Sequence, residues 1–536
     1  MRVYHLGAQS LWIDEIYSLH AARIGQPLGP AELTGDIHGA LYSLVLHVVG
    51  RAGEAEWILR LPSALFGTAL VPVMAMLARA WVGREAVIPA AWLTAFSPFL
   101  VWYSQEARNY MLLMLCVAVA ALAMLRLRDH PALAGGAAWL ASAWAALLSS
   151  LSFALLLPLH LFWWMAAPGP RRARVVAAAV AGGLLLLLVA PWLIGAARTY
   201  AFGRLRPGAP TGTRELRGAT TFHAAAIPFA LHAMAVGYTL GPPLRALRAG
   251  DPAGEMWRHW REVAAVVAVF APLGLLGLAA LKRRGRLIDA TLWMAVPAML
   301  VSYFALRNVK VFHPRYLAVA MPAFLLVLAA GFADARRRWA ATFALGIAAL
   351  WGLSLVHHFT VPAYGKEDSR GAARWVAARG RAGERVLLLG ATEVVFHYYR
   401  GPLRAEEFWL GFASDPARLE RELAAALAGA GGAWLILSRG EDLDPGTRWA
   451  RTWRGASPTR SARCSKACGC GISMDRTSRG WKPRRRTEIR RFLDAGGGGG
   501  TGVRGIGVLG VPREPRASGH RRGHQHFQGR LDRARP

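Results

Sequence analysis

The chain has 536 residues, 54% of them apolar, and a formal charge of +32 from 64 Lys and Arg against 32 Asp and Glu. About half of that excess lies beyond residue 450, and much of the rest falls in short clusters between apolar runs, at Arg171, Arg172 and Arg174, at Lys282 to Arg286 and at Arg336 to Arg338; this is how cytoplasmic loops of a membrane protein are marked, and it argues against a nucleic-acid groove. Of four cysteines, Cys116 lies in an apolar run and Cys464, Cys468 and Cys470 crowd one late segment, which excludes a disulfide framework for the body and makes a poor zinc template.

The first sixty residues carry LWIDEIYS at Leu11 to Ser18 and GDIHGALY at Gly35 to Tyr42, then a short apolar helix over Ala40 to Val49 that is too brief to span. Ten apolar segments follow, at 61–79, 86–102, 110–126, 133–150, 153–167, 174–196, 263–281, 287–305, 315–333 and 339–357. Each approaches the ~20 residues that an α-helix needs to cross ~30 Å of hydrocarbon. An even number leaves both ends on one side. With the basic clusters inside, residues 1–60, the turn 97–109, the loop 198–262 and everything after 358 fall on the outer face. The stretch Phe222 to Gly241, broken by His223, Pro228 and His232, reads as an interfacial or re-entrant helix.

Beyond the last span the pattern changes. A helix at Ser369 to Ala378, a strand at Arg385 to Leu389, a helix around Pro416 to Ala428 and a strand at Ala433 to Leu437 predict a small soluble α/β domain over 359–450. Residues 451–536 are basic, rich in Arg and Gly, and without apolar periodicity, so a disordered tail is expected; the abrupt change of composition also resembles out-of-frame translation of a GC-rich gene. The chain thus divides into an outer loop (1–60), a helical membrane part (61–358), the α/β domain and the tail.

Ionisable groups near the outer surface are the candidates for chemistry. Asp14 and Glu15 sit side by side among Trp12, Ile13 and Tyr17, where acidic residues could serve only a helix N-terminus. Together with Asp36, and His38 two residues on, they could instead supply a general base and an orienting or metal-binding group. The turn SPFLVWYSQEARNY places Glu106 and Arg108 between Tyr103 and Tyr110, and LRNVKVFHPRYLA places Arg307, Lys310, His313 and Arg315 on the same face. Positive charge there runs against the inside bias. Arg108, Lys310 and Arg315 suit a lipid phosphate or diphosphate, unless they merely snorkel at helix ends. His38, Glu106, His313 and Tyr316 complete the set as substrate contacts.

These strings, in this order, resemble the membrane-embedded GT-C glycosyltransferases related to protein O-mannosyltransferases and the lipid A aminoarabinose transferase. The resemblance covers roughly residues 7–445 and rests on LWIDEIYS, DIHGALYSLVLH, RLPSALFG from Arg60, SPFLVWYSQEARNY, VGYTLGPPLRALR from Val236 and FHPRYLAVAMP from Phe312. It implies a mainly α, polytopic GT-C fold in a bacterial cytoplasmic membrane and a polyprenyl-phosphate sugar donor. It further implies an acceptor that is a glycan, lipid or protein on the extracytoplasmic side, and inversion at the anomeric carbon. Asp14 would deprotonate or orient the acceptor hydroxyl, and the phosphate would leave once Arg, Lys or a metal neutralised its charge. Some relatives place a divalent cation among such groups, which implies Asp36 and His38 as ligands, although two side chains do not define a site.

Two departures from the family stand out. Gly39 and Ala40 replace a common Pro-Pro after the second acidic motif, and only about ten residues precede the Asp-Glu loop, so the chain is expected to lack the family's first helix. A transporter or flippase for a lipid-linked sugar is the competing reading, but transporters keep ionisable groups near mid-membrane. A non-catalytic assembly or receptor protein is the third.

Overall fold

A computed structural model of the chain describes residues 1–29, 33, 39–204, 225–243, 246–247, 252–307, 312–380, 384–389, 393–400, 406–411, 425, 432–437, 471–472 and 507–512. Two short helices come first, α1 (Ile13–Ala22) and α2 (Ala40–Gly50). The apolar bundle follows with α3 (Glu56–Trp81), α4 (Val87–Phe96), α5 (Pro98–Ser104), α6 (Tyr110–Asp129), α7 (Leu133–Ser149), α8 (Leu157–Met165) and α9 (Arg171–Arg204). It continues with α10 (Ala226–Val236), α11 (Pro252–Arg258), α12 (Trp260–Arg283), α13 (Leu287–Leu306), α14 (Met321–Asp334) and α15 (Arg337–Thr360).

Among the described residues, seven helices are long and apolar enough to cross a membrane: α3, α6, α9 over Arg171–Gly195, α12, α13, α14 with its preceding turn from Pro314, and α15. An eighth span is the pair α4 and α5, bent by 51°. Ten were expected, and the two that fall short have a physical reason. With 17 residues, α7 reaches only about 26 Å. The next apolar segment is a 3-10 stretch, Leu151–Leu156, before α8 restarts with a proline in its first turn. Both α2 and α10 have 11 residues, too few to span.

Local sequence sets the geometry around the site. Buried positions on α3 recur at Leu59, Ser63, Gly67, Leu70, Met74, Leu77 and Trp81, a helical stripe that packs on α6. The bend after α4 comes from Pro98, which forces Ser97 out of helical geometry (ψ 120°) while the Ser97 hydroxyl caps Leu100 N–H at 3.4 Å. That bend delivers the turn Gln105 to Asn109 to the end of the bundle where α1 lies. Deep in the bundle, α12 crosses α14 at Gly277 and Gly331. A Cβ on Gly277 would strike the Val327 carbonyl, and one on Gly331 would strike the Leu273 carbonyl, the close backbone approach that small residues permit between membrane helices.

After α15 come α16 (Ser369–Arg379), β1 (Glu384–Leu389), α17 (Glu393–Tyr399), β2 (Glu406–Gly411), β3 (Gly432–Leu437), β4 (Gly471–Ile472) and β5 (Gly507–Pro512). The sheet order is β2-β1-β3-β5-β4, with β1 parallel to both β2 and β3, and β5 antiparallel to β3. Its core joins Ala372, Val376, Val386, Leu388, Phe396, Trp434 and Ile436. The helix and two strands expected from sequence at Ser369, Arg385 and Ala433 are present, α17 and β2 are additional, and the helix expected around 416–428 lies outside the described residues except at 425. In the stretch expected to be a disordered tail, β4 and β5 are the described parts, where short apolar runs such as Val508, Leu509 and Val511 extend the sheet.

One buried ion pair fixes the first sixty residues to the bundle. Arg60 on α3 donates from Nε to Glu15 Oε1 (2.8 Å) and from Nη2 to Glu15 Oε2 (2.9 Å). Its remaining donors go to the carbonyls of Leu6 (3.0 Å), Gln9 (2.8 Å) and Ser10 (3.0 Å). The Glu15 carboxylate also accepts from Ala107 N–H (2.8 Å), Lys366 Nζ (3.1 Å) and Trp12 N–H (3.2 Å). Burial alone would raise its pKa; the Arg60 and Lys366 charges and the hydrogen bonds from Arg60 and Ala107 outweigh that and hold it at about 2.

Two outcomes follow for thermal unfolding in detergent. Gly277→Leu should lower the midpoint by the equivalent of about 1–3 kcal/mol or more, whereas Gly274→Leu, where a Cβ meets nothing within 4 Å, should leave it within about 0.5 kcal/mol; equal behaviour of the two would contradict the tight crossing. Glu15→Gln should cost about 3–5 kcal/mol at neutral pH by stranding Arg60. Because folding depresses the Glu15 pKa, this stabilisation is complete above the ordinary carboxylate range and fades as pH falls toward about 2. The gap between the native chain and Glu15→Gln should therefore close on acidification, and a pH-independent gap would refute the ionic account.

Candidate active site

The Asp-Glu pair forms the first turn of α1. Trp12 is the N-cap, and the Glu15 side chain reaches back to Trp12 N–H, half of a capping box. Successive side chains on a helix diverge by about 100°, so the two carboxylates face different neighbours. Glu15 points inward to Arg60 and is fully buried. Asp14 keeps 21% of its side chain exposed and takes a hydrogen bond on Oδ2 from Arg315 Nη1.

Arg315 lies in the 3-10 turn Pro314–Ala320 that opens α14. His313 caps this turn, its Nδ1 accepting from Arg315 N–H at 3.2 Å. The guanidinium also donates from Nη2 to the Tyr316 hydroxyl (3.2 Å) and lies 5.9 Å from the Trp12 ring centroid and 5.2 Å from that of Tyr316. From the other side comes Arg108, on the turn between α5 and α6. Its Nη1 donates to the Asp14 carbonyl (2.9 Å) and to Ser18 Oγ (2.7 Å), holding the first turns of α1. Both arginines keep a buried Nε without a hydrogen-bond partner among the described residues.

Glu106, on the same turn, is 2% exposed. Its Oε1 is 3.5 Å from Lys366 Nζ, and its Oε2 finds no partner among the described residues. Burial pushes the Glu106 carboxyl above the usual range, with Lys366 acting in the opposite direction. Lys366 belongs to the segment between α15 and α16 and also lies 5.8 Å from the Trp12 centroid, so Trp12 is flanked by two cations. Fully ionised, the cluster sets Arg60, Arg108, Arg315 and Lys366 against Asp14, Glu15 and Glu106. One positive charge remains in surplus, and two guanidiniums still have an N–H to give.

Of the residues singled out from sequence, the structure brings Asp14, Glu15, Glu106, Arg108, His313, Arg315 and Tyr316 to one end of the bundle. Asp36, His38 and Lys310 lie outside the described residues. Glu15 departs from the expectation of a reacting carboxylate, since both its oxygens are spent on protein donors and none of its side chain is exposed. Sequence reasoning missed Arg60 and Lys366 as site residues. A lone arginine opening a long apolar run was a signal for Arg60; nothing in the polar stretch around Lys366 distinguished that lysine. Among the described residues no group of three or more His, Cys, Asp or Glu is placed to hold a metal ion, and Asp14, Glu15 and Glu106 each lie beside Arg or Lys.

No family model matches the chain, and no curated protein matches it. Solved structures do. The crystal structure of ArnT from Cupriavidus metallidurans in the apo state aligns with a TM-score of 0.50 at 14% identity, covering 86% of this chain and 93% of that one. ArnT from the same organism bound to undecaprenyl phosphate gives 0.48 at 14% identity, with the same coverage. The archaeal oligosaccharyltransferase AglB from Archaeoglobus fulgidus, in complex with an inhibitory peptide and a dolichol-phosphate, gives 0.46 at 12% identity over 80% of this chain and 66% of that one. The alignment with apo ArnT, together with the apolar helices, establishes the fold: this is a polytopic helical chain with the GT-C architecture of ArnT.

Proposed function

We propose that this chain transfers a sugar from a polyprenyl-phosphate donor to an acceptor hydroxyl on the extracytoplasmic face of a bacterial cytoplasmic membrane. The observation that carries the reading is the convergence of Arg108 and Arg315 on Asp14: Arg315 holds the partly exposed carboxylate, Arg108 holds the main-chain carbonyl of the same residue, and each keeps a buried Nε without a partner among the described residues. A carboxylate beside a concentrated positive charge is what displacement of a phosphate requires. The acceptor oxygen attacks the anomeric carbon, its proton passes to Asp14, and the bond from that carbon to the phosphate oxygen breaks with both electrons going to the phosphate. Arg108 and Arg315, with Lys310 as a third cation, stabilise the charge that develops there.

In this reading Glu15 orients α1 and does not react. Glu106, His313, Tyr316 and His38 contact the substrates, and Asp36 is a second catalytic acid that with His38 could hold a divalent cation. Residues 1–60 then form the catalytic loop, 61–358 the membrane domain and 359–450 an accessory domain, with acceptor choice in the loop 198–262 and that accessory domain. The outer location follows from the basic clusters taken as cytoplasmic. Counting α7 and α8 as two crossings or as one turn back into the membrane gives the same parity, so their shortness does not move the site to the other side.

The reading is tested with a radiolabelled polyprenyl-phosphate hexose, following label into membrane and protein fractions. Asp14→Asn should lower transfer by about 10² or more, and indistinguishable rates would leave Asp14 structural and return the flippase reading. Arg108→Ala should weaken donor binding and lower kcat together, because one guanidinium both holds α1 and faces the phosphate. A loss confined to acceptor KM would count against its place at the donor.

A further inference from the structure

We propose that Lys366 is a positioning residue of this site: carried on the strap between α15 and α16, it seats one ammonium between the Glu15 and Glu106 carboxylates, so that docking of the α/β elements fixes the charge on a carboxyl of the membrane bundle. Its catalytic consequence rests on the reading given above; the arrangement itself does not.

The strap is held at every step. Lys366 N–H donates to Gln9 Oε1 (3.3 Å), the Glu367 carbonyl accepts from Ser10 Oγ (2.7 Å), and Asp368 caps α16 at Gly371 N–H (2.8 Å). Arg370 donates to Glu56 Oε1 (2.7 Å) and to the carbonyls of Gly7 (3.3 Å) and Ala8 (2.7 Å). Tyr399 on α17 donates to the same Glu56 oxygen (3.1 Å) and accepts from Leu11 N–H (2.7 Å). Lys366 is therefore no surface lysine free to swing away, and only 9% of its side chain is exposed.

Charge matching assigns its role. Arg60 already meets Glu15 with two N–H groups, so the second cation is the counter-charge left for Glu106. Among the other groups that act on Glu106, Asp14 and Glu15 from α1 oppose its ionisation, and Arg315 from the 3-10 turn favours it. Arg60 on α3, Tyr42 on α2, Tyr103 on α5 and Tyr238 after α10 also feel its charge. Without Lys366, a carboxyl that is almost wholly buried would face two anions with no cation at salt-bridge distance among the described residues, and it would take a proton. A neutral Glu106 changes the field in which Asp14 must accept a proton, although Lys366 touches neither Asp14 nor the reacting atoms.

The test uses the full chain in lipid nanodiscs as native protein, Lys366→Met and Lys366→Arg. Infrared spectroscopy follows the protonated carboxylic acid of Glu106, identified by its loss in Glu106→Gln, as a function of pH. In Lys366→Met this band should persist to a pH at least one unit higher than in the native chain, and Lys366→Arg should restore the native titration. The pH–rate profile of sugar transfer should show its acidic limb moved upward in the same variant and restored in the same way. A band that titrates at the native pH in Lys366→Met overturns the proposal, even if transfer slows, because a purely structural lysine would lower the rate without moving the titration. If the native chain transfers no sugar, the proposed activity fails, and the infrared titration still decides the role of Lys366. Should Lys366→Met not fold, Lys366→Gln, which keeps N–H donors without charge, gives the same reading.

Discussion

The arrangement depends on burying one carboxylate. An ion taken out of water costs several kcal/mol even after the protein relaxes around it, and Glu15 is tolerated only because Arg60, Lys366 and two backbone N–H groups saturate both its oxygens. Those donors come from α3, from the strap before α16, from the turn between α5 and α6, and from the residue that caps α1. Each must be in place for the ion to be accommodated. The same guanidinium gathers the carbonyls of Leu6, Gln9 and Ser10, which have no sheet or helix partner of their own. A polar, irregular segment thus becomes a fixed floor for α1.

Fixing Glu15 in turn aims Asp14. The two residues share a helical turn, so the rotation of α1 that buries one carboxylate presents the other about 100° away, toward Arg315. Adjacent acids thereby acquire unlike roles from environment alone. One is an anchor whose carboxyl pKa is held at about 2, charged at neutral pH; the other is partly exposed, with a guanidinium from an element more than 300 residues distant in the chain. Sequence distance is bridged because both arginines sit where backbone geometry leaves them little freedom, Arg108 in a turn set up by the Pro98 bend and Arg315 in a 3-10 turn capped by His313.

How much of this could be read from sequence follows from the range of the forces involved. Membrane helices are local objects, twenty apolar residues recognisable without neighbours, and the eight spans with their basic flanks stand where the composition put them. The two short apolar segments form helices of fewer than 18 residues, because a hydropathy run does not reveal where a proline or serine pair stops the helix. Asp14, Arg108 and Arg315 were legible as ionisable groups at positions where charge is costly. That Glu15 would be consumed by Arg60 was not, since adjacent carboxylates look alike until the helix is rotated against α3. Lys366 was illegible for the opposite reason: in KEDSR, a polar stretch outside the bundle, a lysine is unremarkable, and only the docking of the strap makes it buried.

The origin of the four cations also explains why such a site is compatible with a foldable chain. Arg60, Arg108, Arg315 and Lys366 belong to four separate elements, and no two of them are neighbours in sequence. Had they been contiguous, their mutual repulsion would act in the unfolded chain as well as the folded one, and they would read as one more cytoplasmic cluster to the rule that orients the helices. Dispersed among apolar segments, each is weak as a topological signal, and the repulsion arises only when the carboxylates that offset it arrive on α1 and the turn before α6. Assembly of the positive site and closure of the helical bundle are therefore one event. On the proposed function, a donor phosphate would meet the surplus charge only in the finished structure.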